Sequence, residues 1–386
     1  MAGAPRPPVT RGAGAAATAA APSSREELAE ALGEAGKAGT PVRFRGGGTK
    51  LGWGAGGAED AVVISTAGLD RIVEHNAGDL TAVLEAGVPL ARAQETFAAA
   101  GQMLALDPPA DGATIGGVIA TADSGPLRAR YGGPRDLVVG MRVALSDGTL
   151  AKSGGKVIKN VAGYDLGKLF TGAFGTLGAI VEVSVRLHPA PPATATALGS
   201  SSDPDELGRA ARALARSPLE HHGLDVRWAT GSGNAMVRFA GATPRPQAEA
   251  AAKLLHEEGL ATEIVEDDEE LWRGQRERQR GKAVVRVSGL PTQVPAVVRA
   301  AERLGAPVVG RASLGLFWVR LERATSEAVE TLRRELSPAP CVVLDRPTEL
   351  DVDPWGPLDG ATLALMRRVK ESFDPAGVCN PGVYLL

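Results

Sequence analysis

Three glycine-rich bends, each beside a strand, dominate the N-terminal half and limit what this chain can become. The first is Arg45-Gly46-Gly47-Gly48-Thr49-Lys50, which follows the strand-like run Pro41-Val42-Arg43-Phe44. Consecutive glycines let successive main-chain N–H groups turn inward and form a concave anion nest, for which a pyrophosphate is a natural guest. This is neither a Rossmann nor a Walker loop, because Gly52, Gly54, Gly56 and Gly57 deny it the helix that should follow. Taken alone it also reads as a surface turn.

The second bend runs Asp111-Gly112-Ala113-Thr114-Ile115-Gly116-Gly117-Val118-Ile119-Ala120-Thr121. Gly116 and Gly117 permit close backbone approach to a flat ligand, and Ala120, Thr121, Ala122, Ser124 and Gly125 leave room beside it. The third, Phe174-Gly175-Thr176-Leu177-Gly178, enters a strand from Ile180 to Leu187. A packed glycine turn and a β-turn are the plain alternatives for these two. One long cofactor with a pyrophosphate and rings accounts for all three bends together.

Around them the pattern is mixed. Ser24 with Glu26 and Glu27 caps a helix. Strands are expected at 61–65, 71–75, 80–86, 137–145 and 179–187, and Pro89 opens a helix through Ala100. From about residue 200 to 345 helices alternate with hairpin strands in two roughly similar halves, which suggests a sheet with helices on one face. A last helix spans 360–372. Residues 1–24, built of Ala, Gly, Pro, Ser and Thr with two arginines, read as a disordered tail, with a cleaved targeting peptide as the alternative.

Charge and cysteine content exclude several functions. A net charge of -3 argues against a nucleic-acid or anionic-membrane surface. No run of large apolar residues is long enough to cross a bilayer. Cys341 and Cys379 form no C-x-x-C pair, so this chain alone builds neither an iron–sulfur cluster nor a cysteine-rich zinc site. Two ordinary thiols fit a reducing compartment and a cytoplasmic location. No metal site is expected. The adjacent His221 and His222 read as a solvated pair, because strand neighbours face opposite ways and rarely chelate together.

These residues resemble a known family. The run from Pro41 to Trp53 is similar to the pyrophosphate loop of the vanillyl-alcohol-oxidase, PCMH-type flavin superfamily. Thr114-Ile115-Gly116-Gly117 with Ser124-Gly125-Pro126, and Arg135 to Gly140, are similar to its further flavin segments. Gly154-Gly155-Lys156-Val157-Ile158-Lys159-Asn160-Val161-Ala162-Gly163-Tyr164-Asp165-Leu166 resembles the signature of the FAD-binding subunit of glycolate oxidase, the GlcE type. Phe373-Asp374-Pro375-Ala376-Gly377-Val378 with Asn380-Pro381-Gly382 resembles the returning C-terminal segment. The likeness is strong over residues 25–190, clear again from Phe373, and faint between.

The resemblance implies an α+β fold: a PCMH-type FAD-binding domain of two α+β subdomains (25–195), an α/β cap with an antiparallel sheet and helices on one face (196–345), and a C-terminal segment (346–386) returning to the FAD domain. It implies FAD contacts from Arg45, Gly46, Gly47, Gly48, Thr49, Lys50, Pro108, Thr114, Ile115, Gly116, Gly117, Ala120, Thr121, Ser124, Gly125, Arg128, Gly175, Thr176, Gly178, Ile180 and Asn380. Relatives that tether the flavin through the first loop carry His after the paired glycines. Thr49 stands there here, so non-covalent FAD is expected. Metal-dependent relatives carry Gly-Asp-Gly-Asn-x-His in the cap, whereas this chain has Gly231-Ser232-Gly233-Asn234-Ala235-Met236.

A 2-hydroxy acid substrate needs a cation for its carboxylate and a base for its hydroxyl proton. Arg128, Lys156 and Lys159 are the candidate cations; Lys159 and Asp165 read as braces between flavin loops rather than catalytic groups, and no histidine stands out as a base. The expectation is therefore an FAD-binding subunit of a glycolate oxidase-like complex. It would work with a second flavin subunit and an iron–sulfur subunit, at most peripherally attached to the inner membrane face through them. A self-sufficient flavin dehydrogenase or oxidase and a non-catalytic assembly subunit are the alternatives.

Overall fold

A computed structural model describes residues 20–155 and 165–384. The Ser24 hydroxyl accepts the Glu27 amide at 3.1 Å and starts the helix Arg25–Ala38, which the left-handed Gly39 ends. Strands Val42–Arg45 and Val62–Ser65 pair in parallel. Ala20 adds to one side of this pair by a bridge to Ile64, and Cys379 adds to the other by a bridge to Val42. The disordered-tail expectation is corrected for its last residues: the Ala20 amide donates to Val63 at 2.9 Å and its carbonyl accepts from Ser65 at 2.8 Å. A free strand edge supplies those partners, and composition does not report it. Residues 1–19 lie outside the described residues.

The second subdomain is a five-stranded antiparallel sheet in the order Ile72–Asn76, Thr81–Glu85, Ala179–Arg186, Val138–Ala144, Leu150–Gly154. Helix Arg25–Ala38 covers one face, where Leu28 and Leu32 pack with Ala144, Ala179 and Val181. Helices Leu90–Ala98 and Ile115–Thr121 cover the other, burying Phe97, Ile115, Val118 and Ile119 against Leu84, Val183 and Val185.

The cap carries an eight-stranded sheet built from two β-α-β-β-α-β units. The order is Ala261–Val265, Ala193–Ser201, Ser232–Gly241, Gly223–Ala229, Val308–Arg311, Leu316–Arg320, Val284–Ser288, Cys341–Val343. The units meet where Gly223–Ala229 pairs with Val308–Arg311, so the repeat is a two-fold arrangement of one sheet. Helices Pro204–Arg216, Arg245–Glu257, Val294–Arg303 and Ser326–Glu335 bury their apolar stripes on one face.

A fifth cap helix, Glu269–Glu277, lies on the opposite face. Trp272 packs there on Leu198 and Met236 and donates its indole N–H to Thr196 at 2.8 Å. Sequence reading takes 271–273 as an interruption, because Trp272 and Gln275 are the helix's buried residues and leave no wide apolar stripe.

Helix Gly360–Phe373 leads the chain back to the FAD domain. Lys370 Nζ donates to the carbonyls of Thr176 at 2.6 Å and Cys379 at 2.8 Å, and Asp374 accepts the Cys379 amide at 2.8 Å.

Candidate functional site

The three bends share one cleft. Phe174 N donates to Ala120 O at 2.8 Å and Gly172 N to Ile119 O at 3.0 Å, which joins the third bend to the second. Asn380 joins the third to the first: its side chain donates to Phe174 O at 2.6 Å and accepts from Phe44 N at 3.0 Å. Residues of all three bends line the space between them.

The first bend fits a pyrophosphate. Among the described residues, none of the main-chain amides from Gly46 to Lys50 donates a hydrogen bond to protein. Such amides need a guest or water. Gly47 lies so close to the second bend that an added Cβ would stand 1.9 Å from the Gly112 carbonyl oxygen.

Gly46, Gly47, Gly48, Thr49, Lys50, Gly116, Gly117, Ala120, Thr121, Gly175, Gly178, Ile180 and Asn380 all line this cleft. The other expected contacts do not. Arg45, the last residue of its strand, is exposed, and Arg43, two residues earlier, lines the cleft instead. Thr114 caps the helix Ile115–Thr121, and Ile115 belongs to the core. The second bend is thus largely a helical turn whose 116/117/120/121 face meets the cleft. Thr176 is buried and donates to Ala173 O at 2.7 Å, while Gly125 abuts Asp107. Pro108 lines a separate, broad groove between the domains.

Ser124 and Arg128 line a second cavity of about 240 Å³ that shares Trp53 with the cleft. Its floor is Trp53, Asp123, Ser124 and Arg128 of the FAD domain, and its roof is Arg286, Ser288, Leu316, Trp318 and Leu344 of the cap sheet. Arg128 donates to Ser124 Oγ at 3.3 Å. Arg286 has no carboxylate partner among the described residues, and its buried Nε has no hydrogen bond. Burial pulls both guanidiniums below their ordinary pKa, and Arg128 and Arg286 also repel each other. Sequence reading missed Asp123 and Arg286. Arg286 left a faint signal, a charged residue alternating with Val285 and Val287 in a strand.

Lys50 and Asp123 join the two spaces. Their Nζ and Oδ2 are 3.1 Å apart and both side chains are 5% exposed, so the pair is shielded from solvent. Lys50 also donates to Thr49 Oγ1 at 3.2 Å. Burial pushes the Asp123 carboxyl up from its ordinary value, and Lys50 opposes that rise.

Arg280 clasps cap to FAD domain over the same loop. It donates to Asp345 and, at 3.1 Å, to Thr49 O, and Trp53 donates its indole N–H to Asp345 at 2.8 Å.

Lys156, Lys159, Asn160 and Tyr164 lie outside the described residues. Asp165 pairs with Lys168 at 3.0 Å on the surface and lines neither space. The 231–236 stretch is a β-hairpin in which Asn234 donates to Ser200 at 2.6 Å and Met236 is buried. Among the described residues, no cluster of His, Cys, Asp and Glu could hold a metal. His221 and His222 are half-buried rather than fully solvated, which corrects the expectation in part. His221 Nδ1 is buried, and His222 sits 3.3 Å from the Tyr131 hydroxyl at the domain seam. No helix among the described residues is long and apolar enough to cross a membrane.

Comparison with known proteins agrees with this geometry. The family described as "FAD binding domain" matches residues 16–154, and "FAD linked oxidases, C-terminal domain" matches residues 357–384. Fold, cleft and these matches together identify a PCMH-type FAD-binding domain and a C-terminal segment similar to that of FAD-linked oxidases. FAD is the cofactor such a domain takes.

The chain is 38% identical over 168 residues to the D-lactate dehydrogenase of Archaeoglobus fulgidus, covering 44% of this chain and 38% of that one. It is 40% identical over 125 residues to the glycolate oxidase subunit GlcE of Escherichia coli, covering 32% of this chain and 36% of that one. The chain thus spans well under two thirds of either relative. An uncharacterized FAD-linked oxidoreductase of Mycobacterium tuberculosis is 28% identical over 95% of this chain and 90% of its own. A solved alkyldihydroxyacetonephosphate synthase aligns with TM-score 0.70 over 94% of this chain and 75% of that one, a likeness of fold at 16% identity.

Proposed function

We propose that this protein dehydrogenates a small 2-hydroxy acid with non-covalently bound FAD. One observation carries the reading: Arg128 from the FAD domain and Arg286 from the cap line the same cavity beside the flavin cleft. Two desolvated guanidiniums without a carboxylate partner make a site for an anionic substrate, since an unpaired buried charge is costly. When bound, FAD supplies the two-electron acceptor. The glycine cup binds its phosphates, Asn380 holds two loops in register, and the cap keeps water from the reacting face. The names of the relatives, a D-lactate dehydrogenase and a glycolate oxidase subunit, support the substrate class.

The test is anaerobic titration of the purified, FAD-loaded chain with glycolate, D-lactate, D-2-hydroxyglutarate and a neutral alcohol. Bleaching of the flavin by an acid and not by the alcohol is expected. Bleaching by the alcohol alone would sink the reading.

A second reading concerns assembly. The chain has two cysteines and no cluster motif, so electrons leaving the flavin need another carrier. We propose that it serves as the FAD-binding subunit of a glycolate oxidase-like complex, beside a second flavin subunit and an iron–sulfur subunit, peripheral to the membrane through them. Co-purification from its native source, followed by mass spectrometry, tests this. Recovery of the chain free of any flavin or cluster protein would end it.

A further inference from the structure

Asp123 is the one carboxylate among the described residues that lines the second cavity. It is nearly sealed from solvent, and its Oδ2 has the Lys50 ammonium at 3.1 Å without a well-aligned hydrogen bond. A buried carboxylate oxygen left without a hydrogen bond calls for a donor. The charged groups around it come from several elements: Lys50 from the first loop, Arg128 from the helix Arg128–Tyr131, and Arg280 and Arg286 from the cap. No other side chain there suits proton abstraction. Neither cavity is lined by a described histidine, and burial shifts the nearby Tyr384 phenol upward, away from ionisation.

We infer that Asp123 is the general base that takes the substrate's hydroxyl proton, with Lys50 keeping it ionised. The inference rests on the hydroxy-acid reading above. With the substrate carboxylate on Arg128 and Arg286, the 2-hydroxyl proton passes to the Asp123 carboxylate. The C2 hydrogen leaves with its electron pair to the flavin, which is the oxidant, and the C2–O bond becomes a carbonyl. The products are a 2-oxo acid, neutral Asp123 and flavin reduced by two electrons. Burial raises the carboxyl's proton affinity and Lys50 opposes that rise, and a carboxylate of raised affinity is the better base.

The experiment compares wild type with Asp123→Asn and Asp123→Glu, each loaded with FAD. Flavin content is measured first. Oxalate binding, read from the flavin spectrum, reports on the arginine pair and needs no base. The rate of anaerobic bleaching by the best hydroxy acid is then followed against pH. Asp123→Asn is expected to keep FAD and to bind oxalate within about threefold, and to bleach about 100-fold more slowly or worse, with the rise in rate with pH abolished. Asp123→Glu should recover part of the rate and the pH dependence. Three results would overturn the inference: Asp123→Asn bleaching at nearly the wild-type rate, a wild-type pH profile in that variant, or loss of FAD in both variants, which would make Asp123 a brace for Lys50. Failure of every acid to bleach wild type, with no oxalate binding, would instead remove the hydroxy-acid reading and the base with it.

Discussion

The side-chain amide of Asn380 donates to the Phe174 carbonyl at 2.6 Å, while its oxygen accepts from the Phe44 amide at 3.0 Å. A residue near the C-terminus, more than 200 positions from either, therefore sets the spacing of two cleft walls. Replacing it by alanine strands two main-chain groups, at a cost of about 1–3 kcal/mol. Asn380→Ala is expected to lower the melting temperature and weaken FAD binding roughly tenfold. Fluorescence titration with FAD checks this, and unchanged affinity would show that the loops hold their register without it.

Gly47→Ala should be damaging for a different reason. The new methyl would stand 1.9 Å from the Gly112 oxygen, so the two bends must separate. Overpacking of this kind costs about 1–3 kcal/mol. A reduced flavin-to-protein ratio is expected in the purified variant, measured from its absorbance spectrum.

Thr49 occupies the position at which a histidine would tether the flavin, and no described histidine, cysteine or tyrosine lines the cleft. Acid precipitation of the holoprotein should leave a colourless pellet and a yellow supernatant. Yellow retained in the pellet would mean a covalent link.

Asp345 accepts from Trp53 at 2.8 Å and from Arg280 Nε at 2.6 Å, and so fastens the cap to the first loop. Asp345→Ala leaves the Trp53 indole unpaired and Arg280 with only its bond to Thr49 O, in a part-buried setting. Destabilisation of about 1–3 kcal/mol is expected, read from denaturant unfolding of the FAD-free protein. A change below about 0.5 kcal/mol would mean that water replaces the clasp.

His222 gives a pH dependence with a definite sign. Burial is the main cause, and Arg130 and Arg238 add to it: the imidazole is pushed down to about 4 from 6.5. The unfolded chain therefore binds this proton more readily between those values. Its contribution to stability is present above pH 6.5 and is lost as pH falls toward 4. In His222→Gln the decline in melting temperature over that window should be shallower than in wild type. An equal or steeper decline would show that Tyr131 and the surrounding charges accommodate the imidazolium.

Much of the flavin half was legible because backbone chemistry made it so. The glycines of the first bend and the capping Ser24 act locally, and local constraints are written in adjacent residues. The cap helix Glu269–Glu277 was not legible, since two buried residues give no period. Ala20 was not either, because its order comes from a strand edge more than 40 residues away.

The amino-acid sequence by itself determined the anion-binding first bend, the small residues that leave room for rings, and the lack of a tethering histidine. Each depends on what a glycine or a missing side chain permits. Tertiary structure alone decided that Arg286 meets Arg128 and that Lys50 meets Asp123. Those outcomes depend on which face of a strand or helix is covered when separate domains close on each other, and a packed seam couples residues that the chain keeps far apart.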